Sequence, residues 1–131
     1  MQARTVSVTI NRPAAGVYDY LADATNFPRW SQFLTSMRPD GADWIAGTPE
    51  GDVRIRFAER NQFGIVDHHV TVPTGAVVYV PFRVVANGQD AEVLFTIFRL
   101  ADMTDERFEA DVAMVQKDLG NLRQALGHQE A

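Results

Sequence analysis

The last quarter of the chain repeats its apolar residues at Phe108, Val112, Val115, Leu119, Leu122 and Leu126, a 4-3-4-3-4 spacing that puts all six on one stripe of an α-helix. The segment from about Thr104 to Gly127 is therefore predicted to be a single helix with one buried face. At ~1.5 Å per residue it runs roughly 36 Å, about the width of a small domain. Everything upstream reads as strands and short helices, so this helix has to lie across a sheet. A curved sheet closed by one amphipathic helix leaves a cavity between the layers, and a cavity is where a small molecule binds.

Upstream, Val6, Val8 and Ile10 alternate with Thr5, Ser7 and Thr9, the period of a strand with one dry face. Asn11-Arg12-Pro13 switches the chain to helix, with proline in the first turn and Asn11 or Arg12 at the cap. That helix runs to about Ala22 and buries Val17 and Leu21. A second short helix after Asn26 carries Phe27, Trp30, Phe33 and Leu34 on its apolar side. Period two returns from Ser36. Trp44 to Gly47 and Asp52 to Glu59 form a hairpin about Thr48-Pro49-Glu50-Gly51. Phe63 to Val72, Ala76 to Ala86 and Ala91 to Leu100 follow as an antiparallel meander. Met103 and Phe108 bracket Thr104 as a hydrophobic staple about an N-cap.

The chain's 131 residues are enough for one domain, spanning 1–131, with one sizeable core. Its 46% apolar and 22% charged residues are the balance of a soluble globular protein, and no run reaches the ~18 apolar residues of a membrane span. The N-terminal residues lack the apolar core of a secretion signal, so a cytoplasmic location is expected. With no cysteine there is neither disulfide nor thiolate site. A net charge of −5 and scattered arginines argue against nucleic acid as a partner. No Gly-rich loop follows a strand and no Gly-x-Ser-x-Gly turn is present, so no cofactor is expected.

Several stretches carry a family resemblance: Asn11-Arg12-Pro13-Ala14, Phe27-Pro28-Arg29-Trp30, Phe63-Gly64-Ile65-Val66-Asp67-His68, Val80-Pro81-Phe82-Arg83-Val84-Val85-Ala86-Asn87-Gly88 and Phe95-Thr96-Ile97-Phe98-Arg99. Together with the order of elements, they make the whole chain resemble the START/Bet v 1-like superfamily (SRPBCC), in its bacterial polyketide cyclase/dehydrase-like subgroup. The resemblance implies an α+β helix-grip fold. A curved, seven-stranded antiparallel sheet would wrap around the long C-terminal helix, with two short helices after strand 1. It also implies a cavity for an apolar or aromatic ligand, without specifying a reaction.

Strand parity singles out His68. On Phe63 to Val72 the even positions, Gly64, Val66, His68, Val70 and Val72, form the apolar face, so His68 points into the cavity and His69 outward. His68 is then either a general acid/base or ligand-binding group, or a structural histidine with satisfied nitrogens. The expected lining adds Val53, Ile55 and Phe57 on one strand, Val66 and Val70 beside His68, and Val80, Phe82 and Phe95 on the later strands. Val112, Val115 and Leu119 face it from the helix, and Trp30 and Trp44 stand at its mouth or in the core. Asp67 and Glu92 fall on the outer face, where a solvated or cross-strand paired carboxylate is expected. Asp111 and Asp118 flank the helix stripe seven residues apart, a spacing that aims both at one rim or leaves both as ordinary exposed aspartates, and no catalytic carboxylate pair is expected; Arg54 and Arg56 read as a solvated face. His68 and His69 face opposite ways and His128 is near the chain's end, so no metal site is expected.

The outer face is unusually apolar, with Val77, Tyr79, Pro81 and Val85 joined by Leu94, Phe98 and Leu100. Such a patch suits a protein interface, here a homodimer through Tyr79, Leu94 and Phe98. Three functions follow. The first is binding of a small apolar or aromatic molecule, lipid-like or polyketide-like. The second is a cyclase or dehydratase using His68 as acid/base, and the third is a co-chaperone-like interaction module using the outer sheet face.

Overall fold

The computed structural model describes residues 2–127. β1 (Ala3–Ile10) forms where the alternation predicts it, with Val6 and Ile10 buried and Thr5, Ser7 and Thr9 exposed. α1 (Ala14–Ala22) follows and buries Val17, Tyr18 and Leu21. Neither Asn11 nor Arg12 caps it. Pro13 occupies the cap at φ −58° and ψ 142°, and its carbonyl accepts the N–H groups of Gly16 and Val17 at 3.1 and 3.2 Å. A 3-10 helix, Ala24–Arg29, starts earlier than expected because the Asp23 carboxylate accepts the Thr25 N–H and opens the turn.

The strands that follow are β2 (Ser36–Asp40), β3 (Asp43–Gly47), β4 (Val53–Phe57), β5 (His68–Thr71), β6 (Val77–Val80), β7 (Phe82–Asn87) and β8 (Asp90–Phe98), and α2 (Asp105–Gly127) closes the chain. All neighbours pair antiparallel, in two sheets ordered β1-β8-β7 and β2-β3-β4-β5-β6. The expectation of one seven-stranded sheet is corrected to eight strands in sheets of three and five. The predicted strand Ala76 to Ala86 breaks at Pro81, which has no N–H to give to a ladder. The next N–H, that of Phe82, goes to the Asp67 carboxylate at 2.9 Å instead.

A seam joins the two sheets. Val66 N–H donates to the Phe82 carbonyl and Val84 N–H to the Gly64 carbonyl, at 2.8 and 2.9 Å, while Thr96 N–H extends the β7–β8 ladder to the Pro81 carbonyl at 3.0 Å. Gly64 sits at the closest approach. Its φ is +72°, and a Cβ there would lie 2.2 Å from the Val84 carbonyl oxygen. This crossing ends ladder pairing before β5, leaving only a bridge between Ile65 and Arg83 where a longer strand was predicted.

α2 starts where the sequence places it. Thr104 Oγ1 accepts the Arg107 N–H at 3.1 Å, and Met103 and Phe108 both pack on the core. The helix crosses β1 and β8. Phe108, Val112, Leu119, Leu122 and Leu126 are buried and Val115 is half-buried, each fully buried one stabilising the fold by roughly 1.5–3 kcal/mol.

Candidate functional site

Between the 3-10 helix, β5, β8 and α2 lies a cavity of about 110 Å³. Phe27, Trp30, Ser31, Phe33 and Leu34 wall it on one side, His68 and Phe95 form its floor, and Met114, Val115 and Asp118 come from α2. The rings interlock: Phe27 lies 4.9 Å from Trp30 and 5.3 Å from Phe57, and Phe82 lies 5.1 Å from Phe95, centroid to centroid. Phe27 and Phe82 each meet the His68 ring edge-on at 6.1 Å. Aromatic side chains thus occupy most of the space under the helix, and the remaining void is small.

His68 is buried and points inward, while His69 is exposed, as parity predicts. Its Nδ1 is 3.0 Å from the Val66 carbonyl, which can only accept, so Nδ1 carries the proton. Nε2 is then a bare acceptor without a hydrogen-bond partner among the described residues. Burial pulls the imidazole down to a pKa of about 4, against a smaller raising effect of the Val66 bond and of Asp67, so the ring is neutral at pH 7. Trp30 offers the opposite polarity. Its indole N–H is buried and has no acceptor among the described residues.

Asp118 is a further candidate at this cavity. It is buried rather than an ordinary exposed aspartate, because the segment after the 3-10 helix folds over that turn. Its carboxylate accepts the Gln32 N–H at 3.1 Å. Burial raises its pKa, and the Gln32 N–H and the Ser31 hydroxyl oppose the rise. Asn121 holds the same segment by donating to the Trp30 carbonyl at 3.3 Å.

Of the residues expected to line a site, Trp30, His68, Phe95 and Val115 are brought together at this cavity. Phe57 and Phe82 stand behind it in ring contact with His68. Phe57 and Val66 also border a void of about 50 Å³ near Tyr18. Val53, Ile55, Val112 and Leu119 are buried core, Val70 packs against it half-buried, and Val80 borders a groove of about 190 Å³ with Phe98 and Met103. Trp44 is half-buried on β3 opposite Ile55 and reaches none of these spaces. His128 lies outside the described residues. Among the described residues no three His, Cys, Asp or Glu side chains are grouped to hold a metal.

On the outer face Asp67 is cross-strand paired, as expected. It accepts from Tyr79 Oη at 2.7 Å and from Arg83 Nη2 at 2.8 Å. Despite burial, these bonds and that of the Phe82 N–H hold its pKa at about 2. Arg54 and Arg56 are not merely solvated, since both pair with Asp43, at 3.2 and 2.6 Å. Glu92 has one carboxylate oxygen buried without a partner among the described residues. His69, Tyr79 and Phe98 stack in a row across β5, β6 and β8, with centroids 4.9 and 6.2 Å apart. Val77, Tyr79 and Val85 are exposed beside it.

The sequence profile of the polyketide cyclase / dehydrase and lipid transport family matches residues 1–127. The chain belongs to that family. Among solved structures, this polyketide cyclase / dehydrase family member is similar to a START superfamily protein from Mycobacterium smegmatis, with a TM-score of 0.74 at 8% identity over 96% of this chain and 97% of that one. It is similar to the di-domain ARO/CYC protein StfQ of the steffimycin biosynthetic pathway, with a TM-score of 0.75 at 14% identity, covering 97% of this chain and 46% of StfQ. It is also similar to the Aha1 dimer from Colwellia psychrerythraea, with a TM-score of 0.74 at 14% identity and full coverage of both chains. At these identities the likeness establishes the fold, the helix-grip arrangement of antiparallel strands about a long C-terminal helix. A search among proteins of curated function finds no match.

Proposed function

We propose that this family member binds a small apolar or aromatic molecule in the cavity between the sheet and α2. The observation that carries the reading is a void walled by Phe27, Trp30, Phe33, Phe95 and Val115 and holding one inward imidazole with a free nitrogen. The family's description, which covers cyclases, dehydrases and lipid transport, supports the same reading. Native mass spectrometry of freshly purified protein, followed by denaturation of the same sample, tests it. Release of a small non-covalent molecule supports the reading, and failure of every small apolar and aromatic compound tried to bind the purified protein ends it.

A second reading is a cyclase or dehydratase that uses His68 as acid/base. Its support is that His68 and Asp118, two titratable groups of opposite type, line one cavity, and that StfQ is named as a cyclase-type protein. A neutral imidazole with a pKa of about 4 is a weak base at pH 7, so binding ranks ahead of catalysis. A pH-dependent turnover that His68→Ala abolishes while ligand binding persists would reverse that order.

The outer-face row of exposed Tyr79 and half-buried Phe98 supports self-association through that face, and the similar Aha1 structure is a dimer. Sedimentation of the wild type and of Phe98→Glu decides this, since a species that does not change with the variant rules the face out. No helix among the described residues is long and apolar enough to cross a membrane, and a cytoplasmic site of action remains part of this proposal.

A further inference from the structure

The chemistry of the occupant can be taken further, on the footing that the cavity under α2 is a ligand site. The void of about 110 Å³ is smaller than an apolar cavity of roughly 150 Å³ that admits benzene, so a single small ring already requires its walls to yield slightly and two fused rings are excluded. Its walls are mainly aromatic, and aromatic side chains meet a ring in tilted or edge-on contacts that an aliphatic chain cannot reproduce.

Polarity narrows the class. Two polar atoms on the lining side chains lack partners among the described residues: His68 Nε2, an acceptor, and Trp30 Nε1–H, a donor. Both rings pack against Phe27 and Phe82. A carbonyl or ether could answer only the indole, and an ammonium only the imidazole. A hydroxyl supplies the donor that the imidazole lacks and is neutral, as an apolar cavity requires. An anionic ligand is disfavoured because the imidazole is neutral and a carboxyl group, Asp118, stands on the wall. The Asp118 carboxylate takes the Gln32 N–H on one oxygen, whereas His68 Nε2 receives no donor at all among the described residues, and the hydroxyl is therefore assigned to His68.

We propose that the cavity takes a single-ring phenol, its ring held among Phe27, Trp30 and Phe95 and its hydroxyl donating to His68 Nε2.

The experiment titrates the full chain with phenol, toluene and 1-naphthol, following affinity by calorimetry and the His68 nitrogens by ¹⁵N NMR. Phenol is expected to bind at least tenfold more tightly than toluene, to shift the Nε2 resonance where toluene does not, and to outbind 1-naphthol. In His68→Leu the preference for phenol over toluene is expected to vanish while toluene still binds. Equal affinity for phenol and toluene, or a preference that survives in His68→Leu, overturns the hydroxyl assignment and leaves the cavity reading standing. Tighter binding of 1-naphthol overturns the size limit. A cavity that binds none of the three and holds only water overturns the ligand-site reading itself. If His68→Leu does not fold, the Nε2 resonance of the wild type decides alone: a shift with phenol only supports the assignment, and any other pattern refutes it.

Discussion

The Asp118 carboxylate on α2 accepts the backbone N–H of Gln32 at 3.1 Å and so ties the segment that roofs the cavity to a helix 86 residues further along the chain. Two opposing effects meet in this one bond. The contact satisfies a backbone donor, and burial of the carboxylate penalises its charged form.

Asparagine at this position separates the two. Because the folded pKa of Asp118 is raised, its protonated form favours folding, and that contribution is lost as pH rises through the folded pKa. Asp118→Asn keeps an acceptor for Gln32 without the charge, so it is expected to melt at or above the wild-type temperature at pH 7, with the difference shrinking towards pH 4. Asp118→Ala leaves the Gln32 N–H without its partner and is expected to cost about 1–3 kcal/mol. Thermal melts of the two variants check this, and equal destabilisation would refute it.

His68 governs a different pH range. Its folded pKa of about 4 lies below the usual 6.5, so between those values the unfolded chain binds a proton that the fold refuses. Stability is expected to fall as pH drops from about 6.5 to 4. Denaturant titrations of His68→Phe against wild type across that window isolate the effect, since phenylalanine cannot titrate. Parallel pH profiles for the two proteins would contradict the assignment.

Asp67 acts lower still. Its pKa is depressed from 3.8 to about 2, so its contribution is present above 3.8 and lost as pH falls through about 2. Asp67→Asn at pH 7 is expected to destabilise by about 1–3 kcal/mol, because it weakens the bonds to Arg83, Tyr79 and Phe82 together. A urea midpoint unchanged from wild type would show that the network contributes nothing.

Two glycines should respond in opposite directions to alanine. Gly64→Ala places a methyl group 2.2 Å from the Val84 carbonyl oxygen at φ +72°, and a loss of about 2–4 kcal/mol is expected. Around Gly120 a Cβ meets nothing within 4 Å, so Gly120→Ala is expected to gain ~1 kcal/mol from helix propensity alone. Melting temperatures measured side by side test both signs.

The elements written in local periodicity were legible from the sequence. α2 and its Thr104 cap, β1, and the inward turn of His68 all follow from spacings of two or of three and four. The break at Pro81 is also encoded locally, since proline inside a strand signals an interruption. Asp118 was not legible by such means. Whether a residue on the flank of a helix stripe is covered depends on where Trp30 to Leu34 come to rest, and no local pattern encodes that contact. The same holds for Asp67, whose outward side was predicted but whose capture of the Phe82 N–H depends on the kink it helps to create. Trp44 fails for the converse reason: a large aromatic suggests a pocket wall, and β3 simply leaves it half-buried away from one.

The division at Pro81 makes the molecule two half-shells clasped along one line. Within each shell the strands are laced residue by residue, whereas the line itself is fastened by the amides of Val66 and Val84 and by the hold of the Asp67 carboxylate on Phe82 and Arg83. Compliance therefore concentrates there. A guest too large for the resting void is expected to part this clasp before either ladder, and deuterium uptake at the amides of Val66 and Val84 is the direct gauge of how often the shell yawns.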